Sequence, residues 1–170
     1  MEPLAREYAD RGFSSLFVYT REAHPGENYP AHRSQEQKLA HARAFQELSG
    51  AERPILVDDL LGHGHKLYGT LPNMTYLIGR GGTVLFRADW TDPPTLRQAM
   101  DYLIASRERR REELRLGPFY AEFVGYRWSN AAKFQEGLAR AGQQAVQDSA
   151  EAARKQASSE PRPGRIVLPE

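Results

Sequence analysis

Residues 13–34 read FSSLFVYTREAHPGENYPAHRS, and this stretch decides how the rest of the chain is interpreted. It begins with an apolar run, Leu16 to Tyr19, of the kind that a strand carries when both faces of its sheet are covered. The run gives way to a polar loop that contains Glu22, His24 and His32. In open α/β sheets, ligands bind in the crevice outside the carboxyl ends of the strands. The loop is therefore the best candidate for a functional site in the chain.

The composition is that of one ordinary globular domain with an extension, because 40% of the 170 residues are hydrophobic. The net charge of +1 gives no reason to expect nucleic acid or a membrane surface as a partner. No apolar run resembles a signal peptide or a membrane span, so we expect a cytoplasmic protein. Cysteine is absent, which excludes disulfides, thiolate nucleophiles and zinc–thiolate sites within these residues. No cofactor and no metal are predicted.

The pattern of apolar and turn residues predicts alternating helices and strands. In chain order we predict a helix at 3–11, a strand at 13–19, a helix at 34–48, a strand at 54–57, a short helix or turn at 60–68, strands at 74–78 and 84–87, and a helix at 93–113. Arg80-Gly81-Gly82 predicts a hairpin between the last two strands. The alternation implies an α/β fold, with a parallel sheet, helices on both faces and an antiparallel edge hairpin.

The C-terminal third differs in character from the rest. We place the domain boundaries at 1–116, 117–157 and 158–170. Residues 119–128 are aromatic and are expected to pack on the domain, and residues 130–157 are expected to form one alanine-rich helix. Residues 158–170 are rich in proline and charge, so we expect a disordered tail, although Ile166-Val167-Leu168 could dock on the domain.

Residues 13–103 resemble the iodothyronine deiodinase family, which has a thioredoxin fold. The residues that carry the resemblance are Arg-Glu-Ala-His-Pro at 21–25, His-Arg-Ser at 32–34, Leu-Tyr-Gly-Thr-Leu-Pro at 67–72 and Thr-Tyr-Leu-Ile at 75–78. By this resemblance, Pro72 takes the place of the cis-proline that faces the active site. Glu22, His24 and His32 take the places of the family's proton-handling residues. The partners implied are a small-molecule substrate and a thiol reductant; a homodimer stays open.

The chain departs from the family in one respect. Members carry a selenocysteine or cysteine on a strand and loop before the helix with which this chain begins. Neither that strand nor that nucleophile is present, so the chain as written cannot perform the family's chemistry. We therefore expect a truncated gene product, or a gene model begun too late, with upstream in-frame sequence that encodes a strand and the nucleophile. Whether that nucleophile is selenocysteine or cysteine stays open.

Reductive dehalogenation of an aromatic ring needs a soft nucleophile and an acid. Histidine suits the second task because its unperturbed pKa of about 6.5 lets it give and regain a proton near neutrality. Glu22 is two positions from His24 and is expected to fix its tautomer or raise its basicity, while His32 extends the relay. Two alternatives remain. One is a peroxiredoxin-like thiol peroxidase fragment, and the other is a non-catalytic thioredoxin-fold binding domain.

Two further polar groups have simpler interpretations. His63-Gly64-His65 has the spacing of a metal pair, but without further ligands nearby it is expected to be a surface turn. Asp58-Asp59 follows a predicted strand and is expected to cap a helix rather than bind a cation.

Overall fold

The structure, a computed structural model, describes residues 1–112 and 130–158. The structure contains helices together with one parallel and one antiparallel pair of strands, as the α/β prediction requires. The elements are α1 (Glu2–Ala9), β1 (Phe17–Tyr19), α2 (Gln35–Ser49), β2 (Ile55–Val57), α3 (His63–Tyr68), β3 (Thr75–Ile78), β4 (Val84–Ala88), α4 (Pro93–Arg111), α5 (Ala131–Ala141) and α6 (Gln143–Ser158). The predicted aromatic segment at 119–128 and the tail beyond residue 158 lie outside the described residues.

The described chain divides into two compact units. The first comprises residues 1–21 and 33–112, and therefore holds α1 to α4 and all four strands. The second comprises residues 22–32 and 130–158. The polar loop after β1 thus belongs to the same unit as α5 and α6, although the residues before and after it in the sequence belong to the first unit.

The core of the first unit forms where α1 and α4 pack on the β3–β4 hairpin. Leu4 and Tyr8 lie four residues apart on α1, within the helix predicted at 3–11, and both are buried. Leu96 and Met100 form the matching stripe of α4. Leu77 of β3 and Phe86 of β4 pack against this cluster. Each fully buried side chain of this kind contributes about 1.5–3 kcal/mol to the free energy of unfolding.

β1 and β2 form a parallel pair, with Val18 opposite Leu56. One face of the pair is covered by α2, where the rings of Phe17 and Phe45 stack with centroids 5.1 Å apart. On the other face, 44% of Val18 and 52% of Leu56 are exposed. The prediction that both faces are covered was therefore wrong for this strand, because among the described residues the face opposite α2 leaves Val18 and Leu56 about half exposed.

The β3–β4 hairpin is antiparallel, as predicted, and Gly82 adopts φ +80 in its turn. Within the described residues the strands form two separate two-stranded sheets, and no ladder joins β1–β2 to β3–β4. The single parallel sheet with an edge hairpin is therefore not formed here. A layered mixture of helices and strands is what the structure establishes about the fold class.

Two sequence-based expectations about the backbone were wrong. The Leu71–Pro72 peptide bond is trans. Both residues are exposed, so little packing opposes the trans preference of about 0.5–1 kcal/mol at an X–Pro bond. The helix expected at 130–157 is broken at Gly142, which adopts φ +128 and ψ 172 between α5 and α6. That conformation is accessible mainly to glycine.

None of the helices within residues 1–112 and 130–158 combines the length and the apolar character that a membrane span needs.

Candidate functional site

The polar loop at 22–32 is anchored to the turn between α5 and α6. Asn28 donates its backbone N–H to the carbonyl of Ala141 at 2.9 Å. The side-chain amide of Asn28 donates to the carbonyl of Arg140 at 3.0 Å. The last carbonyls of a helix have no partner within the helix, so Asn28 caps the C-terminus of α5 from a distant part of the chain.

Glu27 performs the complementary task at the start of α6. Its two carboxylate oxygens accept the N–H of Gln144 at 2.9 and 3.1 Å. A carboxylate at a helix N-terminus satisfies an unpaired donor and interacts favourably with the helix dipole. Gly26 lies against the same turn, where an added Cβ would collide with the carbonyl of Ala141. Three consecutive loop residues therefore fix the loop to the α5–α6 turn.

The central pair of the candidate site is Glu22 with His32. Only 5% of the His32 side chain and 22% of the Glu22 side chain are exposed. The Nε2 atom of His32 lies 3.7 Å from Oε1 of Glu22. This separation suits an ion pair when the imidazole is protonated, and it is longer than a direct hydrogen bond. A nearly buried imidazole beside a carboxylate is an arrangement that can hold and release a proton.

His24 has a different environment from the one the sequence suggested. It is exposed, and its ring packs edge-on against Phe134 of α5, with centroids 5.4 Å apart. The ion pair that the structure describes for Glu22 is with His32, ten residues further along the loop, and not with the nearby His24. Of the two loop histidines, His32 is therefore the one that the structure places beside the Glu22 carboxylate.

Pro72 belongs to the first compact unit, whereas the Glu22–His32 loop belongs to the second. The predicted proximity of Pro72 to this loop stays a prediction.

A second polar cluster, in the first unit, lies where β2 ends. Asp58 accepts the N–H groups of Asp59, Gly64 and His65 at 2.9–3.0 Å. Burial alone would raise the pKa of Asp58, but these hydrogen bonds outweigh it and hold the pKa below its usual value. Asp58 therefore caps α3, and the interpretation of Asp58-Asp59 as a helix cap is confirmed.

Lys38 on α2 completes this cluster. Its side chain is buried, and Nζ donates to the carbonyl of Asp59 at 2.7 Å. Gln35, one turn earlier, donates its side-chain amide to the carbonyl of Asp58 at 3.2 Å. Burial lowers the pKa of Lys38, against the opposing attraction of the two carboxylates. Lys38 thus fastens α2 to the β2–α3 connection, which is a structural role.

The two histidines of α3 both have partners within the protein. His63 Nδ1 lies 2.7 Å from Oδ2 of Asp59, in an exposed pair. His65 Nε2 lies 3.1 Å from the carbonyl of Leu71. The surface turn expected at His63-Gly64-His65 is the start of the short helix α3 in the structure, with His63 exposed and His65 partly buried.

Some of these residues gave no signal in the sequence. Glu27 and Asn28 are ordinary loop residues until their partners, more than 110 positions away, are known. Lys38 sits in a polar run, Gln35-Glu36-Gln37-Lys38, in which nothing in the sequence distinguishes it from its polar neighbours.

No protein-family model matches this chain, and no curated protein matches it. The interpretation of the loop therefore rests on its own residues and geometry.

Proposed function

We propose that the chain is a deiodinase-like, thioredoxin-fold oxidoreductase in which Glu22 and His32 handle the proton of a reductive dehalogenation or a related selenol or thiol reaction. The observation that carries this proposal is the nearly buried His32 imidazole, 3.7 Å from the Glu22 carboxylate. The loop that holds the pair follows a strand of a parallel β pair, which is where α/β proteins place their chemistry.

The reaction assigns a defined task to each group. A selenolate or thiolate attacks the halogen of an aryl halide, and a selenium–halogen or sulfur–halogen bond forms. The carbon–halogen bond breaks, its electron pair stays on the ring carbon, and a proton from His32 completes the reduced ring. The nucleophile is thereby oxidised. A thiol reductant then releases the halide and restores the nucleophile, and is itself converted to a disulfide.

Glu22 supports His32 by stabilising its protonated form. A carboxylate within about 4 Å favours the charged imidazolium, so that a proton is held close to the reacting carbon until it is needed. General acid catalysis of this kind typically accelerates a reaction by about 10²–10⁴-fold. Because none of the 170 residues is cysteine, the proposal requires the soft nucleophile to come from outside them.

The test supplies that nucleophile as a small molecule. The purified chain is mixed with an iodinated phenol, selenocysteamine and dithiothreitol, and iodide release is measured. We expect release above the protein-free rate, and a loss of at least about tenfold of that excess in His32→Gln. His63→Gln is the matched control, because His63 is an exposed histidine paired with a carboxylate. Equal rates for the wild type and His32→Gln would refute the assignment of His32.

His24→Ala belongs in the same series. The sequence suggested His24 as the acid, whereas the 3.7 Å separation from Glu22 supports His32 in our proposal. We expect His24→Ala to have the smaller effect, because His24 is exposed and contacts Phe134. A larger loss for His24→Ala than for His32→Gln would return the acid role to His24. Replacing the iodinated phenol by hydrogen peroxide, and measuring peroxide consumption instead of iodide release, tests the peroxiredoxin-like alternative.

A non-catalytic thioredoxin-fold binding domain is the second candidate. The observations that favour it are the absence of cysteine and the structural use of the loop, in which Gly26, Glu27 and Asn28 hold the α5–α6 turn. A folded chain that releases no iodide above the protein-free rate with any supplied selenol or thiol would support this candidate over the enzyme.

A further inference from the structure

The helix α3 contributes no buried side chain to the first unit. Its apolar side chains face solvent instead, with 84% of Leu67 and 51% of Tyr68 exposed. The helices α1 and α4 of the same unit are both held by buried apolar side chains. Segments that bury little apolar surface open at a lower free energy than the core around them. Burial therefore does little to keep α3 in place.

Polar contacts hold α3 at its two ends. At the start, the carboxylate of Asp58 accepts the N–H groups of Gly64 and His65 at 3.0 and 2.9 Å. At the end, the carbonyl of Tyr68 accepts a hydrogen bond from the hydroxyl of Tyr76, and the two rings meet edge-on with centroids 5.2 Å apart. A hydrogen bond adds only modestly to stability, because water replaces the lost partner when the bond breaks. These contacts therefore orient α3 without fixing it firmly.

A glycine stands at each end of α3. Gly62 precedes the helix with φ 69 and ψ 40, and Gly69 follows it with φ 116 and ψ 168. Glycine reaches such positive φ values, and the other regions of backbone space, at little steric cost. Hinges of moving segments are a few residues in loops or at the ends of elements, where large changes of φ and ψ are absorbed. Gly62 and Gly69 have the position and the backbone freedom that two hinges need.

We propose that residues 62–69 form a flap that opens as a local unit, with Gly62 and Gly69 as its hinges, while the rest of the first unit stays folded. Opening breaks the hydrogen bonds that Asp58 accepts from Gly64 and His65, together with the hydrogen bond that joins the flap to Tyr76. The buried cluster of α1, α4 and the β3–β4 hairpin contains no residue of the flap, so it is not disturbed.

The flap adjoins the carboxyl ends of the two parallel strands. Asp58 donates its N–H to the carbonyl of Tyr19 at 3.0 Å, so the ends of β1 and β2 lie side by side. Open α/β sheets bind their ligands outside these ends. Each opening removes two donors from the Asp58 carboxylate, which is then accessible at this edge. The flap is thus a conformational device at one end of the β1–β2 pair. It does not depend on the proposed function, because its tests measure opening and not turnover.

The first experiment measures opening by proteolysis of the full chain. Endoproteinase Lys-C cuts after lysine, and Lys66, one of only four lysines in the sequence, lies in α3. Cleavage tracks the population of the open form when opening and closing are fast relative to cleavage. Gly62→Ala places a Cβ at a left-handed backbone position and so disfavours the closed flap. Cleavage after Lys66 should therefore become about five- to thirtyfold faster.

Gly82→Ala is the matched control. Gly82 has φ +80 in the β3–β4 turn, and an added Cβ meets no heavy atom within 4 Å there and none closer than 3.8 Å at Gly62. The two variants thus add similar backbone strain without a collision, and Gly82→Ala should leave cleavage after Lys66 unchanged. Tyr76→Phe loosens the other end of the flap and should accelerate this cleavage about two- to tenfold. Equal acceleration by Gly62→Ala and Gly82→Ala would overturn the proposal, because strain anywhere in the unit would then expose Lys66.

The second experiment needs no variant and tests whether the flap opens alone. Amide hydrogen exchange of the wild type is followed by NMR at increasing low concentrations of urea, for Gly64 and His65 in the flap and for Ala99 and Met100 in α4. The flap amides should be at least about tenfold less protected than those of α4, and their protection should depend less on urea, because a local opening exposes little surface. If both sets share one protection factor and one urea dependence, α3 opens only when the whole unit unfolds, and the flap does not exist.

Discussion

Replacing Gly142 by alanine should destabilise the second compact unit. Gly142 adopts φ +128 and ψ 172 between α5 and α6, where a residue with a Cβ stores about 1–3 kcal/mol of strain. The new Cβ would also collide with the carboxylate of Glu27, which caps α6 through the N–H of Gln144. Loss of a helix cap costs about 0.5–2 kcal/mol. Together these effects lower the free energy of unfolding by about 1.5–5 kcal/mol.

The same substitution five residues earlier should have the opposite effect. Gly137 lies inside α5, is exposed, and has no heavy atom within 4 Å of an added Cβ. Alanine is favoured over glycine in a helix by about 0.8–1 kcal/mol, so Gly137→Ala should stabilise α5. Glu27→Ala separates the two effects expected for Gly142→Ala, backbone strain and loss of the α6 cap, because it removes the cap without straining Gly142.

We compare the three variants with the wild type by two measurements. Circular dichroism at 222 nm follows thermal unfolding, and mass spectrometry follows the amide hydrogen exchange of α6. Exchange is needed because two compact units need not unfold in one transition. We expect a lower melting temperature and faster exchange for Gly142→Ala, a smaller change of the same sign for Glu27→Ala, and a higher melting temperature for Gly137→Ala. If Gly142→Ala melts at or above the temperature of Gly137→Ala, the geometry assigned to the α5–α6 turn is wrong.

The remaining predictions concern the first unit. Asp58→Ala leaves three N–H groups without their carboxylate and should cost about 1–3 kcal/mol in urea unfolding, whereas Asp89→Ala removes only an exposed ion pair and should cost less than about 1 kcal/mol. The lowered pKa of Asp58 means that its contribution is complete above the unfolded pKa of about 3.9 and is lost as the pH falls through the folded pKa, so Asp58→Asn should lose less stability on acidification than the wild type. Tyr8→Phe removes the 2.7 Å hydrogen bond to Asp101 and should lower the free energy of unfolding by about 0.5–1.5 kcal/mol, measured by thermal melting. An unchanged melting temperature would mean that this hydrogen bond does not stabilise the folded state over the unfolded state.

Much of the local structure follows from short-range signals in the sequence. Ser34 accepts the N–H of Gln37 at 3.2 Å at the start of α2, where a helix was predicted from residue 34, and a serine followed three residues later by glutamine is a typical capping pattern. Asp92 likewise accepts the N–H of Thr95 at 3.0 Å before the proline that begins α4. Such signals act within one turn of chain, and therefore they can be read without knowing the rest of the fold.

The features that sequence reasoning missed depend on contacts between distant residues. Nothing in the residues 26–28 shows that they fasten a turn near residue 142. The break at Gly142 was overlooked because alanine-rich sequence on both sides favours helix, and glycine within such a run is often tolerated. The error at Pro72 has a different origin: the cis bond was carried over from the family resemblance, and the bond is trans where two exposed residues offer little packing against the trans preference.

The division of the chain into two units imposes an order on its folding during synthesis. The second unit combines residues 22–32, near the N-terminus, with the helices of residues 130–158. Glu27 can cap α6 only after Gln144 has been synthesised, 117 positions later. At about 5–20 residues per second, a ribosome needs roughly 6–23 s to make that interval. The elements of α1 to α4 all emerge before α5 does, so the first unit can fold while the loop still lacks its anchors. The loop of residues 22–32 then gains its hydrogen bonds to Arg140, Ala141 and Gln144 last, and a nascent chain released before α6 would carry the loop without the cap that Glu27 provides.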